Sequence, residues 1–381
     1  MKISILAPDL SSNLLVRTYP IAKVLERHYE VEIIGPVFGE GIFEPYRNEF
    51  HYKPYFFNKN KRKLSKVIEG AKGVQQILKF IEGDVVYAFK PRSFSFGIGL
   101  LAKYLKKRPL ILDIEDWEAE SYYNSSILRK LYFLSKFYKP NNNPLYNRLL
   151  EPLTKLAGEV TVVSNFLQNR YGGIKLPHGA NCNFFDPSKY NRGKLRNKWR
   201  LTNKFVILFT GMPHIHKGID DLVKAIEILS DDAIRLMLVI PRMDFLRKIK
   251  NANNKYIIPV GPQPHSKMPE FLELTDLVVL PQKNTKFAQA QVPGKVFEAM
   301  AMTKPIIATN VGDLPEILND CGWIVEPENP EKLAEKIQYV LSHPEEAKKM
   351  GQNARKKCIE KYSWDAMEKI LIKIFKKYEK I

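Results

Sequence analysis

Short β-branched runs alternate along this chain with longer stretches whose apolar residues recur every three or four positions. In the first half the runs are KISILAP, YEVEIIGP, DVVYAF, RPLILDIED and EVTVVS, with helical stretches such as 17–28 and 64–82 between them. A continuous apolar run of four to eight residues predicts a strand buried on both faces. Strands alternating with amphipathic helices predict βαβ units and a parallel sheet. From about residue 173 the pattern lapses into GIKLPHGANCNFFDPSKYNRGK, rich in Asn, Gly and Pro. It then restarts with FVILFTG, IRLMLVI, NKYIIPVG, DLVVLP and KPIIAT. The expected class is therefore α/β, with two Rossmann-like, doubly wound parallel-sheet domains. The boundaries read as 1–172 for the first domain, 173–361 for the second and 362–381 for a terminal helix that packs back on the first. In that helix Met367, Ile370, Leu371 and Ile374 share a face. Two such domains in tandem are expected to face a cleft at the carboxyl ends of their strands, where ligands of this class bind.

Composition narrows the field. At 381 residues with 45% apolar content the chain has enough apolar mass for two cores. The opening apolar run ends at Pro8 and Asp9, so no signal segment is expected, and no run of some 18 apolar residues is present to cross a bilayer. Cys182, Cys321 and Cys358 are scattered and form no CxxC pair, which favours reduced, buried thiols. The net charge of +19 fits an anionic partner, whether nucleic acid, anionic lipid or a phosphorylated substrate. Lysine-rich surfaces also accompany adaptation to heat.

Two segments carry phosphate chemistry. In TGMPHIHKG a strand ends at Gly211, and a Lys217-Gly218 pair leads into a helix. A glycine there allows close backbone approach, and a helix start offers unpaired N–H groups to an anion. It is not a Walker loop, because GxxxxGK[ST] is missing. In AQVPGKVFEAMAMTKPIIATNVGDLPEI, Pro293 and Gly294 open a helix on which Lys295 and Glu298 stand one turn apart. Lys295 suits phosphate oxygens and Glu298 suits hydroxyl groups. Against these stand plainer readings: a turn with a surface lysine, and a first-turn Glu that complements the helix dipole.

In order, TGMPHIHKGIDDLVKAI, MPEFLELTDLVVLP, PGKVFEAMAMTKPIIATNVGDLPEIL and GWIVEPENPEKLAEKI resemble the carboxyl-terminal domain of family 4 of the retaining glycosyltransferases, which have the GT-B fold. The resemblance spans the second domain. The first domain is similar mainly in pattern, through VVYAFKPRS, PLILDIEDWEAES and VTVVSNFL, followed by LPHGANCNFF with His178 where the family has Asn. The resemblance implies a nucleotide-sugar donor, UDP-, GDP- or ADP-linked, with no further cofactor and no metal. Gly211 would admit the diphosphate, Lys217 would pair with it and Glu298 would hold the ribose hydroxyls. Met212, His216, Gly218, Gly261, Pro293, Gly294 and Lys295 complete the expected donor-binding set. The chain departs from the family pattern in three further places. Ala290 replaces the first Glu of the Glu-x7-Glu pair, Met212 stands where an arginine is common, and the turn after the first strand, PDLSSNLLVR, has no glycine. Contacts at that turn would fall to Ser11, Ser12, Asn13 or Arg17.

The chemistry implied is retaining transfer to a hydroxyl acceptor, with Lys217 and Lys295 stabilising the leaving group, Glu298 in the catalytic set, and Asp116 as a catalytic polar group on the acceptor side. Arg17, Asn13 and Trp117 join Asp116 there. A rival reading takes Asp113, Glu115 and Asp116 in ILDIEDWEAE as ligands of a divalent metal bridging a diphosphate. An inverting transferase would instead need a base, for which Asp116 and His178 are the candidates. His214 and His216, two apart on a loop, make no defined metal geometry.

Residues 121–150 hold five Arg or Lys, seven Tyr or Phe and no acidic residue, and Lys53 to Lys79 adds lysines. Basic side chains among aromatic rings suit an anionic membrane surface. The expected localisation is cytoplasmic, peripheral on the inner face of the cell membrane, with a glycan or lipid-linked acceptor and no nucleic acid. The plainer alternative is a helix pair whose rings pack inward. A non-catalytic basic protein that binds membrane or nucleic acid is the rival from outside enzymology.

Overall fold

A computed structural model describes residues 1–58, 63–139, 143–241 and 255–379. Residues 59–62 of the lysine-rich stretch, 140–142 of the basic-aromatic stretch, Asn254 of the run NKYIIPVG and the last two residues of the terminal helical segment lie outside these. The chain divides into two units, one of Met1–Pro177 with Met367–Ile381, the other of His178–Ala366.

Among the described residues of the first unit, seven strands form one sheet: β1 (Lys2–Leu6), β2 (Glu30–Val37), β3 (Tyr52–Phe56), β4 (Val85–Phe89), β5 (Leu110–Ile114), β6 (Glu159–Val162) and β7 (Ile174–Lys175). Their order is β3-β2-β1-β4-β5-β6-β7 and every pairing is parallel. The order reverses after β1, so the sheet is wound in both directions and is covered on both faces. That is why β4 and β5, in the middle, are buried at every position, with apolar residues throughout except Asp113. The sequence pattern did not mark β3 or β7. Pro54 lies inside β3, tolerable because β3 is an edge strand with no partner on one side, and β7 has two residues. The helix Trp364–Phe375 brings Phe375 against Tyr87 and Tyr29, at ring-centre distances of 5.6 and 5.8 Å.

Among its described residues the second unit repeats the plan with six strands: β8 (Phe205–Thr210), β9 (Ile234–Val239), β10 (Ile257–Val260), β11 (Leu277–Leu280), β12 (Ile306–Thr309) and β13 (Trp323–Val325), in the order β10-β9-β8-β11-β12-β13 and parallel throughout. Alternate residues of each strand feed two cores. One gathers Val206, Leu208 and Met237 with Phe297 and Met300, and the other Ile207, Phe209 and Leu236 with Leu222 and Ile226. The helix Ile219–Leu229 supplies the second core with Leu222, Val223 and Ile226, spaced i, i+1 and i+4. The topology again reverses beside β8, at the strand that delivers the TGMPHIHKG loop.

Candidate functional site

The site in the second unit is built at the carboxyl end of β8. Gly211 follows the strand with φ +107°, a backbone that L side chains rarely adopt. A Cβ there would stand 2.7 Å from Lys295 Nζ, so glycine clears the room that this ammonium occupies. Lys295 comes from the helix Lys295–Ala301, donates to the Thr210 carbonyl and lies 4.5 Å over the Phe209 ring. Gly218 ends the loop in the left-handed conformation, φ +66°, and a Cβ on it would lie 1.7 Å from the Pro281 carbonyl oxygen. The backbone therefore has to be glycine at 218 to pass the end of β11 and start the helix Ile219–Leu229 at that point.

Between these two anchors Lys217 donates to Gln291 Oε1 at 3.0 Å, which ties the loop to the segment before Lys295. The loop is held from its other side by Lys283 N–H, which donates to the His216 carbonyl, and by the His216 ring against Phe287 at 5.1 Å and against His214 at 5.4 Å. Burial first, and then the nearby positive charge of Lys217, lower the Lys295 ammonium to about 7, with Glu298 offsetting part of both. Two neighbouring ammonium groups repel each other, and an anion between them would relieve that repulsion.

Glu298, one turn beyond Lys295, accepts from His265 Nε2 at 3.0 Å. Burial alone would lower the His265 imidazolium, but the hydrogen bond to Glu298 and its charge outweigh that and raise it. Phe184 stacks on the His265 ring at 5.9 Å, and Phe185 meets its edge at 5.6 Å. A carboxylate beside flat rings is suited to a ribose with its base. Of the remaining expected donor residues, Met212 is exposed in the loop, Pro293 is buried, a Cβ on Gly294 would stand 4.0 Å from the His178 side chain, and Gly261 follows β10. His265 and Gln291 complete the site although sequence reasoning did not select them. The only signal for His265 was a histidine in a Pro-rich loop after a strand.

The expected acceptor-side residues belong to the first unit and are engaged there. Arg17 is fully buried. Its guanidinium grips Asp113 through two hydrogen bonds, of 3.1 and 3.0 Å, and also donates to the carbonyls of Leu176 and Pro177. Its role in this structure is thus to neutralise a carboxylate in the middle of the sheet. Tyr87 and Thr161 complete the cluster, with Thr161 donating to Asp113 at 2.7 Å. Trp117 is buried, donates to Glu151 Oε1 at 3.1 Å and lies under the Arg170 guanidinium at 4.2 Å. Asn13 is exposed just before the helix Leu15–Leu25.

Asp116 meets the ammonium of Lys90, which also lies 3.0 Å from Glu115 and 3.0 Å from Glu118. Lys90 is buried with φ +63°, an unfavourable conformation for lysine, and its amide donates to the Asp113 carbonyl. The three carboxylates that followed β5 in sequence thus surround a lysine from the end of β4. Burial pushes the Glu115 carboxyl up to about 7 despite Lys90. Burial also acts against the Glu118 carboxylate, yet Lys90 and Arg92 hold it below its usual range. Among the described residues no group of three or more His, Cys, Asp or Glu is arranged to hold a metal ion.

A family model described as glycosyl transferases group 1 matches residues 191–357, the part of the chain that carries every residue from Gly211 to Glu298. The chain is 31% identical over 180 residues to an uncharacterized glycosyltransferase of Methanocaldococcus jannaschii, a match covering 46% of this chain and 48% of that one. It is 26% identical over 243 residues to the GDP-mannose-dependent alpha-(1-6)-phosphatidylinositol monomannoside mannosyltransferase of Mycobacterium tuberculosis, covering 59% of this chain and 63% of that one. The chain thus spans about half the length, or somewhat more, of the curated relatives it matches. The Anabaena protein HepE, solved in complex with UDP-glucose, superposes with a TM-score of 0.76 over 99% of this chain and 100% of its own, at 16% identity. At that identity the likeness is one of fold.

Proposed function

We propose that this chain, which has the GT-B fold and carries a glycosyl transferases group 1 domain over residues 191–357, is a glycosyltransferase using a nucleoside-diphosphate sugar. The observation that carries this reading is the pair of lysines at the loop: Lys295 Nζ occupies the room cleared by Gly211, Lys217 donates to Gln291 in the segment just before Lys295, and Glu298 stands one helical turn beyond Lys295 against the His265 ring. In this reading the diphosphate lies between the two ammonium groups, and Glu298 takes the ribose hydroxyls. HepE, bound to UDP-glucose, and the mannosyltransferase named for GDP-mannose make UDP and GDP the first bases to try.

The transfer we infer retains anomeric configuration and uses no metal. The acceptor hydroxyl approaches the face of C1 from which the diphosphate departs. The C1–O bond to phosphate breaks, the C1–O bond to the acceptor forms, and the hydroxyl proton passes to the departing phosphate oxygen. The protein's contribution is electrostatic, because Lys217 and Lys295 are fixed in place before charge develops on the leaving group. Losing one such fixed donor costs about 10²–10³ in rate. The acceptor is a glycan or a lipid-linked glycoconjugate precursor.

The test is product analysis with UDP- and GDP-sugars and a hydroxyl acceptor, reading anomeric configuration by NMR. An axial donor giving an axial product with EDTA present, and a Lys217→Ala variant slower by about 10²–10³, supports the proposal. An inverted product or abolition by EDTA overturns the retaining or the metal-free step, respectively.

A further inference from the structure

The helix Ile127–Ser135 presents its apolar side to solvent. Ile127, Leu131 and Leu134 recur at i, i+4 and i+7 and so form one stripe, with Leu128 and Tyr132 beside it and Phe137 just beyond the helix end. In an ordinary amphipathic helix this stripe would face the core. Here Ile127 is 77% exposed, Leu128 79%, Leu131 56%, Tyr132 57%, Leu134 53% and Phe137 58%, while Phe133, on the opposite side, is buried and anchors the helix to the body. Contiguous exposed apolar surface of this kind marks an interaction site.

The rim of this stripe is positive. Arg129, Lys130 and Lys136 flank it, and residues 121–150 contain no carboxylate side chain. Lys130 lies over the Tyr122 ring at 5.3 Å and Lys136 over the Tyr132 ring at 5.1 Å, which keeps both ammonium groups level with the aromatic border of the apolar face. A second copy of this chain is a poor occupant, because a two-fold contact would bring this positive rim against itself with no carboxylate from residues 121–150 to offset it. An apolar stripe bordered by rings and cations, with no anion, fits the boundary between acyl chains and anionic head groups. We propose that the helix Ile127–Ser135 is a docking element that seats the first unit on an anionic lipid bilayer. Ile127, Leu128, Leu131 and Leu134 enter the acyl region, while Arg129, Lys130 and Lys136 meet the head groups. Among the described residues no helix is long and apolar enough to cross a membrane, so the contact is that of a helix lying in the interface.

Co-sedimentation with vesicles of phosphatidylcholine alone, and with added phosphatidylglycerol, tests this at physiological salt on the full chain. The expected result is binding to the anionic vesicles only, weaker in high salt, and reduced at least tenfold in Leu128→Glu/Leu131→Glu. Each basic side chain beside an anionic surface is worth about fivefold in partitioning, so Lys130→Gln/Lys136→Gln should weaken binding about 25-fold. Unchanged circular dichroism and melting temperature serve as the control that these variants are folded. In an independent readout, a Leu131→Trp variant should shift its emission to the blue on anionic vesicles and be quenched by brominated acyl chains. Equal binding to neutral and anionic vesicles, unchanged binding by both double variants, or no binding at all overturns the proposal. A dimer that Leu128→Glu/Leu131→Glu dissociates, without vesicle binding, assigns the face to a second copy instead.

Discussion

Under the proposed function, Lys295 makes nucleotide-sugar binding depend on pH with a sign and size that follow from its surroundings. In the unliganded site its ammonium titrates at about 7, because burial and then Lys217 disfavour the charge. A diphosphate between the two lysines restores Lys295 towards its ordinary value of about 10.4, so binding takes up a proton above pH 7. At pH 7 about half of the free sites already carry that proton, and at pH 9 about one in a hundred does. Affinity is therefore full below pH 7 and falls by roughly fifty-fold between pH 7 and pH 9, equivalent to about 2.3 kcal/mol. An intact nucleotide sugar is the ligand of choice, since its esterified diphosphate does not titrate in this window. Isothermal titration in buffers of different ionisation enthalpy measures both the affinity and the proton uptake. The Lys295→Met variant should bind weakly with no pH dependence. The reasoning is refuted by an affinity that is level from pH 7 to 9, or by the same slope in Lys295→Met.

The remaining predictions concern groups outside that lysine pair. Arg17→Met leaves Asp113 charged and unpaired in the middle of the sheet, and urea unfolding should show a loss of about 3–5 kcal/mol. Unfolding that matches the unmutated chain would return Arg17 to a surface role. Gly218→Ala drives a Cβ against the Pro281 carbonyl and holds alanine at positive φ. The loop must shift, and calorimetry should show donor binding lost in a chain that keeps its first unit folded. Glu115 has its carboxyl raised to about 7 in the folded state, so its penalty grows as pH climbs from about 4.5 to 7 and is complete above that. Glu115→Gln should accordingly raise the melting temperature at pH 8 and have little effect at pH 4.5. An equal effect at both pH values would place Glu115 in water.

The strands inside both sheets were legible because a strand covered on both faces has to be apolar along its length, as VVYAF and LVVL are. Those at the margins were not. Pro54 disguised β3, and β13 has three residues. The proposed anion site was legible where it is local: Gly211, Lys217, Gly218, Lys295 and Glu298 all sit in two short segments whose glycines and lysines announce a strand-to-helix turn. Its other members arrive from a distance. His265 reaches Glu298 from 33 positions away in sequence. Arg17 meets Asp113 across 96 positions, and nothing in PDLSSNLLVR separates an arginine facing a ligand from one facing a buried carboxylate. Lys90 was hidden for a further reason. Its positive φ and its three carboxylate partners depend on how β4 and β5 end side by side, and a lysine followed by proline carries no sign of either. The basic-aromatic stretch was read correctly as a composition, but its periodicity is the same whether the apolar stripe points inward or outward. Only the burial of Phe133 on the opposite side decides that.

The central claim is that Lys217 and Lys295 cradle a nucleoside diphosphate without a metal. Calorimetric titration of UDP and GDP into the purified chain, with and without EDTA, and again into Lys217→Ala, tests it most directly. The account predicts that one nucleotide binds, that EDTA leaves the affinity unchanged, and that Lys217→Ala abolishes it. Binding that disappears with EDTA while Lys217→Ala still binds would contradict the account and move the phosphate site away from the Lys217-Gly218 loop.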